Sequence, residues 1–347
     1  MTVGMENLRL VDERFGDGPR YYLFETKDID MRVPDQIKKC VLFVGLPEMP
    51  EPEYRGTAFI VTVPGTQSNH FAFTVTARHV AERLQGKDYY IRANKKDGTA
   101  IALQGRASDP WWFHPSEREH VDAAVTLFSP MRLAELDVEH IPLGMFADPE
   151  IIAKRDIGIG DEVFITGLFT KVTETMKNIP ILRTGAVAMI PGERIPFGDK
   201  LIEAYLIEAR SIGGLSGSPV FVRETVQIPH QLFPKAGMIV PLFGMGPIWF
   251  FGSVIGHWDL PSGFTTTEAE AVNMGISPIV PAHKIREIIL QPELVEMMKK
   301  VNDEMRTKNQ TGAKLDLTES KEEPFTQDDF ETALRKASRK VAPESKK

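Results

Sequence analysis

The chain reads as all-β, built as two barrel- or sandwich-like units. Short apolar or alternating runs recur from residue 40 onward with turn residues between them, the pattern of many short strands. Helical periodicity is confined mainly to the C-terminal end. The strand rhythm also breaks once, over residues 136–149, and this polar, proline-containing stretch divides the strands into two roughly equal sets.

Residues 1–37 form an N-terminal extension whose charges stand where a signal peptide needs an apolar core. The first set of strands is CVLFVGL (40–46), TAFIVTV (57–63), FAFTVTA (71–77), YYIRA (89–93), AIALQGRA (100–107) and DAAVTLF (122–128). The second is DEVFITGLF (161–169), ILRTGAVAMI (181–190), LIEAYLIEA (201–209), PVFV (219–222) and FFGSVIGHW (250–258). Residues 236–258 carry no Lys, Arg, Asp or Glu and are long enough to span a bilayer as a helix. Their prolines and glycines favour two short apolar strands broken by a turn at 244–247 over a membrane helix. Residues 281–301 have helical spacing interrupted by Pro292, and the charged stretch 302–324 is expected to be a flexible linker. From Thr326 a short helix is expected, with Phe330, Leu334 and Ala337 on one face. It reads either as a solvated tail or as a docking segment for a partner.

A net charge of −7 offers no global basic excess for phosphates, so a nucleic-acid partner is not expected. Cys40 is the single cysteine, which excludes an intramolecular disulfide and a cysteine-based zinc site. A soluble, cytoplasmic protein without membrane partner, metal or cofactor is the expectation.

Three residues stand out for chemistry. His79 closes an apolar strand just before a short helical turn, although a lone histidine is more often a packed or surface residue. Asp122 stands at the mouth of an apolar strand, either as an exposed strand-start cap or as a carboxylate orienting an imidazole. Ser216 lies among Gly213, Gly214 and Gly217, either in a simple glycine-rich turn or on a backbone free to aim two N–H groups at one point. The stretch lacks the Gly-Lys-Ser/Thr end of a phosphate loop. Ser218 breaks the G-x-S-x-G of an α/β-hydrolase, leaving an esterase pairing Ser216 with His257 as a weaker alternative.

In the order His, Asp, Ser these motifs resemble the chymotrypsin/trypsin-like serine peptidases, in particular the disulfide-free bacterial HtrA-type peptidase domain. GTAFIV (56–61), VTARHV (75–80), DAAVTLF, IGDEVFITG (159–167), ILRTGAVAMI, GGLSGSPVF (213–221) and NMGISPIVPAHKIREII (273–289) each resemble a family segment, in register over roughly residues 40–290. The resemblance implies two six-stranded antiparallel barrels, at about 38–135 and 150–290. A charged helical or flexible tail is expected over 291–347, too short and too polar for a PDZ-like domain. The resemblance also implies a serine endopeptidase acting on proteins or peptides, with His79 as base, Asp122 orienting it, Ser216 as nucleophile, and the N–H groups of Gly214 and Ser216 as oxyanion hole. Gly256, His257 and Trp258 would face substrate, and Arg210 would either line the primary pocket, favouring an acidic side chain, or point to the surface. Arg78, Leu215 and Ser218 depart from the family pattern, and a catalytically silent binding or scaffold protein on the same fold is the alternative.

Overall fold

The computed structural model describes residues 8–13, 21–26, 33–47, 53–65, 70–129, 133–170, 176–209, 214–233, 238–256, 259–260, 272–273 and 275–312. Two units are distinguished, Met1–Asp35 and Gln36–Lys347. The first carries an antiparallel hairpin of β1 (Leu8–Glu13) and β2 (Tyr21–Thr26).

After α1 (Asp35–Lys39), the larger unit opens with a sheet. Its strands are β3 (Val41–Leu46), β4 (Glu53–Pro64), β5 (His70–Thr76), β6 (Tyr89–Asn94), β7 (Ala100–Gly105), β8 (Trp112–Phe113), β9 (Ala124–Leu127) and β10 (Ile141–Pro142). The order is β7-β6-β3-β4-β5-β9-β8, antiparallel throughout, with β10 added parallel to β4. A closed barrel was expected here. Among the described residues no ladder joins β7 to β8, because β8 is only two residues long and pairs with β9 alone.

The second half does close. β11 (Glu162–Gly167), β12 (Ile181–Met189), β15 (Tyr205–Glu208), β16 (Pro219–Phe233), β17 (Met238–Val254) and β20 (Ile276–Pro281) form a six-stranded barrel in the order β11-β12-β15-β20-β17-β16. Two small hairpins decorate it, β13 (Ile195–Phe197) with β14 (Lys200–Ile202), and β18 (Asp259–Leu260) with β19 (Val272–Asn273). The helices are α2 (Arg78–Leu84) and α3 (Pro149–Arg155), then α4 (Ala282–Ile289) and α5 (Pro292–Gly312) at the C-terminal end.

Each half has its own apolar core. Leu42, Ala58, Ile60 and Ile91 are buried in the first, and Val163, Ile165, Val220 and Phe251 in the second. Alternation along β4 leaves Phe59 on the other face, where an aromatic seam joins sheet and barrel. The Phe250 ring lies 5.2 Å from Phe59, 4.7 Å from Phe146 and 6.0 Å from Phe221, all four buried. Such tilted and edge-on pairs favour a fixed crossing of the two halves.

Three expectations are corrected. The turn expected at 244–247 is instead a register shift within the continuous β17, where Arg223 pairs with Ile248 and Thr225 with Met245. A bulge absorbs Gly246 and Pro247 without ending the strand. LIEAYLIEA is two strands, β14 and β15, in different sheets. Residues 302–312, expected as linker, extend α5, which is anchored by the buried side chains of Leu294, Met297, Met298 and Val301. Pro292 opens that helix, where a missing N–H costs nothing. The helix expected after Thr326 lies outside the described residues. No helix among the described residues is long and apolar enough to cross a membrane.

Candidate active site

β5 ends at Thr76, and Ala77, in an extended conformation, starts α2 without a side-chain cap of its own. The first N–H groups of a helix lack intrahelical partners. Asp122 supplies one from afar: its Oδ1 accepts the His79 backbone N–H at 3.0 Å. Its Oδ2 lies 2.7 Å from His79 Nδ1. A carboxylate only accepts, so Nδ1 carries the proton and Nε2 presents its lone pair outward, the tautomer a general base needs. Asp122 is buried, with 8% of its side chain exposed, while the His79 ring is 37% exposed. The exposed-cap reading of Asp122 is therefore wrong. Arg78 Nε stands 3.9 Å from Asp122 Oδ1, and its guanidinium is shared with Glu82 at 3.3 Å and Glu119 at 3.6 Å.

Ser216 sits on a turn pinned from several sides. Leu215, the departure before the serine, is fully buried in the barrel core and anchors the loop from within. The Ser218 N–H closes onto the Leu215 carbonyl at 2.9 Å, and the Gly217 N–H onto Val254 at 2.9 Å. Gly214 and Gly217 have φ of +96° and +82°, values that a side chain would strain. At Gly217 a Cβ would also collide with the Thr57 carbonyl, the Thr76 hydroxyl and the Ala77 nitrogen. The serine loop is thus packed on the strand end that leads into His79.

The serine hydroxyl is engaged by its own loop's neighbour. Among the described residues, its hydroxyl partner is the Ile255 carbonyl at 3.2 Å, and no hydrogen bond links it to the His79 imidazole. No partner among the described residues takes the Ser216 N–H. Gly256 follows directly on Ile255 and is half-buried. Gly213, Arg210, His257 and Trp258 lie outside the described residues.

Sequence reading missed Thr57. Its backbone N–H reaches the Ser216 carbonyl at 3.1 Å, and its hydroxyl donates to the Gly214 carbonyl at 2.7 Å. A β-branched residue inside a buried strand carries no outward sign of such a role.

Away from this loop, one group among the described residues brings possible metal ligands together: His114, Glu117 and Glu287, with ligand atoms within 4.8 Å of one another. Its charges are already matched. Lys284 bonds Glu117 at 2.5 Å and Glu287 at 3.4 Å, and Arg194 pairs with Glu117. His114 Nδ1 accepts the Glu117 N–H, so Nε2 carries the proton facing Glu287 at 2.7 Å. The Lys284 hydrogen bond holds the Glu117 carboxyl below its ordinary range. The network ties the loop after β8 to the β12–β13 connection and to α4. Cys40 is buried at the entry to β3, and burial pushes its thiol well up, leaving it inert.

The chain matches no family model and no curated protein. It is similar to solved structures at low identity. The MamO protease domain of Magnetospirillum magneticum in its apo form is 16% identical, over 72% of this chain and 96% of that one, with a TM-score of 0.43. Rv3671c of M. tuberculosis, in an inactive mutant form, is 12% identical over 73% and 87%, with a TM-score of 0.37. The Grass clip serine protease of the Drosophila Toll pathway is 14% identical over 82% and 75%, with a TM-score of 0.41.

Proposed function

We propose that the chain is a trypsin-like serine endopeptidase that cleaves protein or peptide substrates through His79, Asp122 and Ser216. The observation that carries this reading is the double grip of Asp122 on His79. It sets both the tautomer and the place of the imidazole, on the strand end against which the serine loop packs. On this reading the open first sheet serves as the counterpart of the barrel, and substrate lies along the seam between them.

The chemistry follows the general serine-peptidase template. The Ser216 hydroxyl leaves the Ile255 carbonyl, gives its proton to His79 Nε2, and its oxygen attacks the peptide carbonyl carbon. The oxyanion is received by the Ser216 N–H, together with that of Gly214. His79 passes the proton to the leaving amine, and water then releases the acyl group by the same route in reverse. Asp122 stays ionised and stabilises the imidazolium. An extended peptide would pair beside Gly256, as strands add to a sheet edge.

The bond from Ser216 to Ile255 favours one second reading: a binding protein on the same fold, with its serine held out of use. An α/β-hydrolase esterase is disfavoured by the antiparallel barrel. A peptide-library cleavage screen tests the proposal. Cleavage that disappears in Ser216→Ala supports it; peptide binding without turnover, unchanged in that variant, would establish the scaffold.

A further inference from the structure

We infer that Thr57 is a positioning residue for the oxyanion loop, acting from the first sheet through its hydroxyl on the Gly214 peptide. This rests on the proposed peptidase reading and goes beyond the triad. Thr57 is fully buried, and its N–H and its hydroxyl are both used across the junction of the two halves. Its N–H holds the Ser216 carbonyl at 3.1 Å. Its own carbonyl accepts the Thr76 hydroxyl at 2.7 Å. Its hydroxyl accepts the Leu168 N–H at 2.9 Å and donates its single proton to the Gly214 carbonyl at 2.7 Å.

These bonds bracket Leu215, the residue before the serine. One strand residue holds the carbonyls at 214 and 216, on either side of Leu215, from 157 positions away in sequence for the first of them. The Gly214 carbonyl lies in the peptide plane that follows the Gly214 Cα and the Gly214 N–H in the plane that precedes it, the two being hinged there through ψ and the positive φ of +96°. Fixing the plane after Gly214 holds one side of that hinge and so narrows the directions open to the N–H on the other. Turning the plane over would leave the buried Thr57 proton without its acceptor, which a dry site resists.

Two glycines make room for the bridge. A Cβ at Gly167 would crowd the Thr57 hydroxyl at 2.9 Å, and one at Gly214 would meet the Leu168 carbonyl at 2.9 Å. Serine and threonine alone supply a short side chain that both accepts and donates here. Valine keeps the shape and loses both bonds.

The test measures the rate at which a fluorophosphonate modifies Ser216, with a thermal melt for each protein. In that reaction the Ser216 Oγ–P bond forms, fluoride leaves, and His79 takes the serine proton. Thr57→Val and Thr57→Ala are expected to fold and to react at least about tenfold more slowly, but by no more than the roughly 10²–10³-fold that loss of a direct oxyanion donor costs. Thr57→Ser is expected to stay within about threefold of the unaltered protein, since it keeps the hydroxyl. Folded Val and Ala variants that react at the unaltered rate would overturn the proposal. So would loss of folding in both, which would assign the hydroxyl to stability alone, or a Ser variant as slow as the others. An unaltered protein that does not react at all would instead overturn the peptidase reading.

Discussion

The side chain of Ser218 fills the space that a side chain at position 167 would need. A Cβ on Gly167 would overlap the Ser218 Oγ, which is fully buried and has no hydrogen-bond partner among the described residues. The extra serine at the end of the nucleophile loop is thus matched by a glycine on the neighbouring strand. Gly167→Ala is expected to cost roughly 1–3 kcal/mol, as overpacking does. Ser218→Gly in the same chain should recover part of that loss, and Ser218→Ala alone should be neutral or stabilising because it removes an orphan hydroxyl. Urea unfolding of the singles and the double, read as a cycle, checks the coupling.

Asp122 touches His79 with both oxygens, so its replacement should damage turnover far more than folding. Asp122→Asn keeps the shape but offers an N–H where a carboxylate accepted. On the peptidase reading a fall in kcat of about 10⁴ is expected, as when a serine peptidase loses the correct tautomer. Peptide hydrolysis beside a melting curve separates this from unfolding.

The ion network around Glu117 should act as a staple between the loop after β8 and α4. Lys284 and Glu117 are 13% and 24% exposed in their side chains, between surface and core. Removing one partner, as in Lys284→Met, is expected to cost roughly 1–3 kcal/mol. The double variant with Glu117→Gln should cost less than the sum of the singles. Chemical denaturation of the four proteins measures the difference.

Acid should destabilise the fold in two stages. Burial, aided by the neighbouring Lys284, lowers the pKa of His283 below 6.5. The unfolded chain then binds the proton first, so stability falls as pH drops through 6.5 toward the folded value. Glu117, held low mainly by Lys284, contributes stability above 4.5 that is lost as pH falls through its own folded value. Asp148 works the other way, since burial raises its carboxyl despite the adjacent Arg286, and protonation favours its folded form. The melting temperature should decline from pH 7.5 to 5, and His283→Gln should flatten that decline.

His79, Asp122 and Ser216 were legible in the sequence because each sits where an apolar run meets a polar or glycine-rich end. Their environment was not. Thr57 reads only as a good strand residue, and its partner at Gly214 is set by tertiary folding. Pro247 reads as a turn because local rules cannot see the partner strand that turns it into a bulge. Residues 302–312 read as linker because the end of α5 has few apolar residues of its own. That helix is anchored by Leu294 to Val301 instead. The open edge of the first sheet was equally hidden, since strand length at β8 depends on what Trp112 and Phe113 pack against.

Fluorophosphonate labelling of the folded protein, with the modified residue located by peptide mass, tests the peptidase reading most directly. The prediction is a single adduct on Ser216, lost in His79→Ala and retained in His257→Ala. No adduct on folded protein, or one that survives His79→Ala, would contradict it.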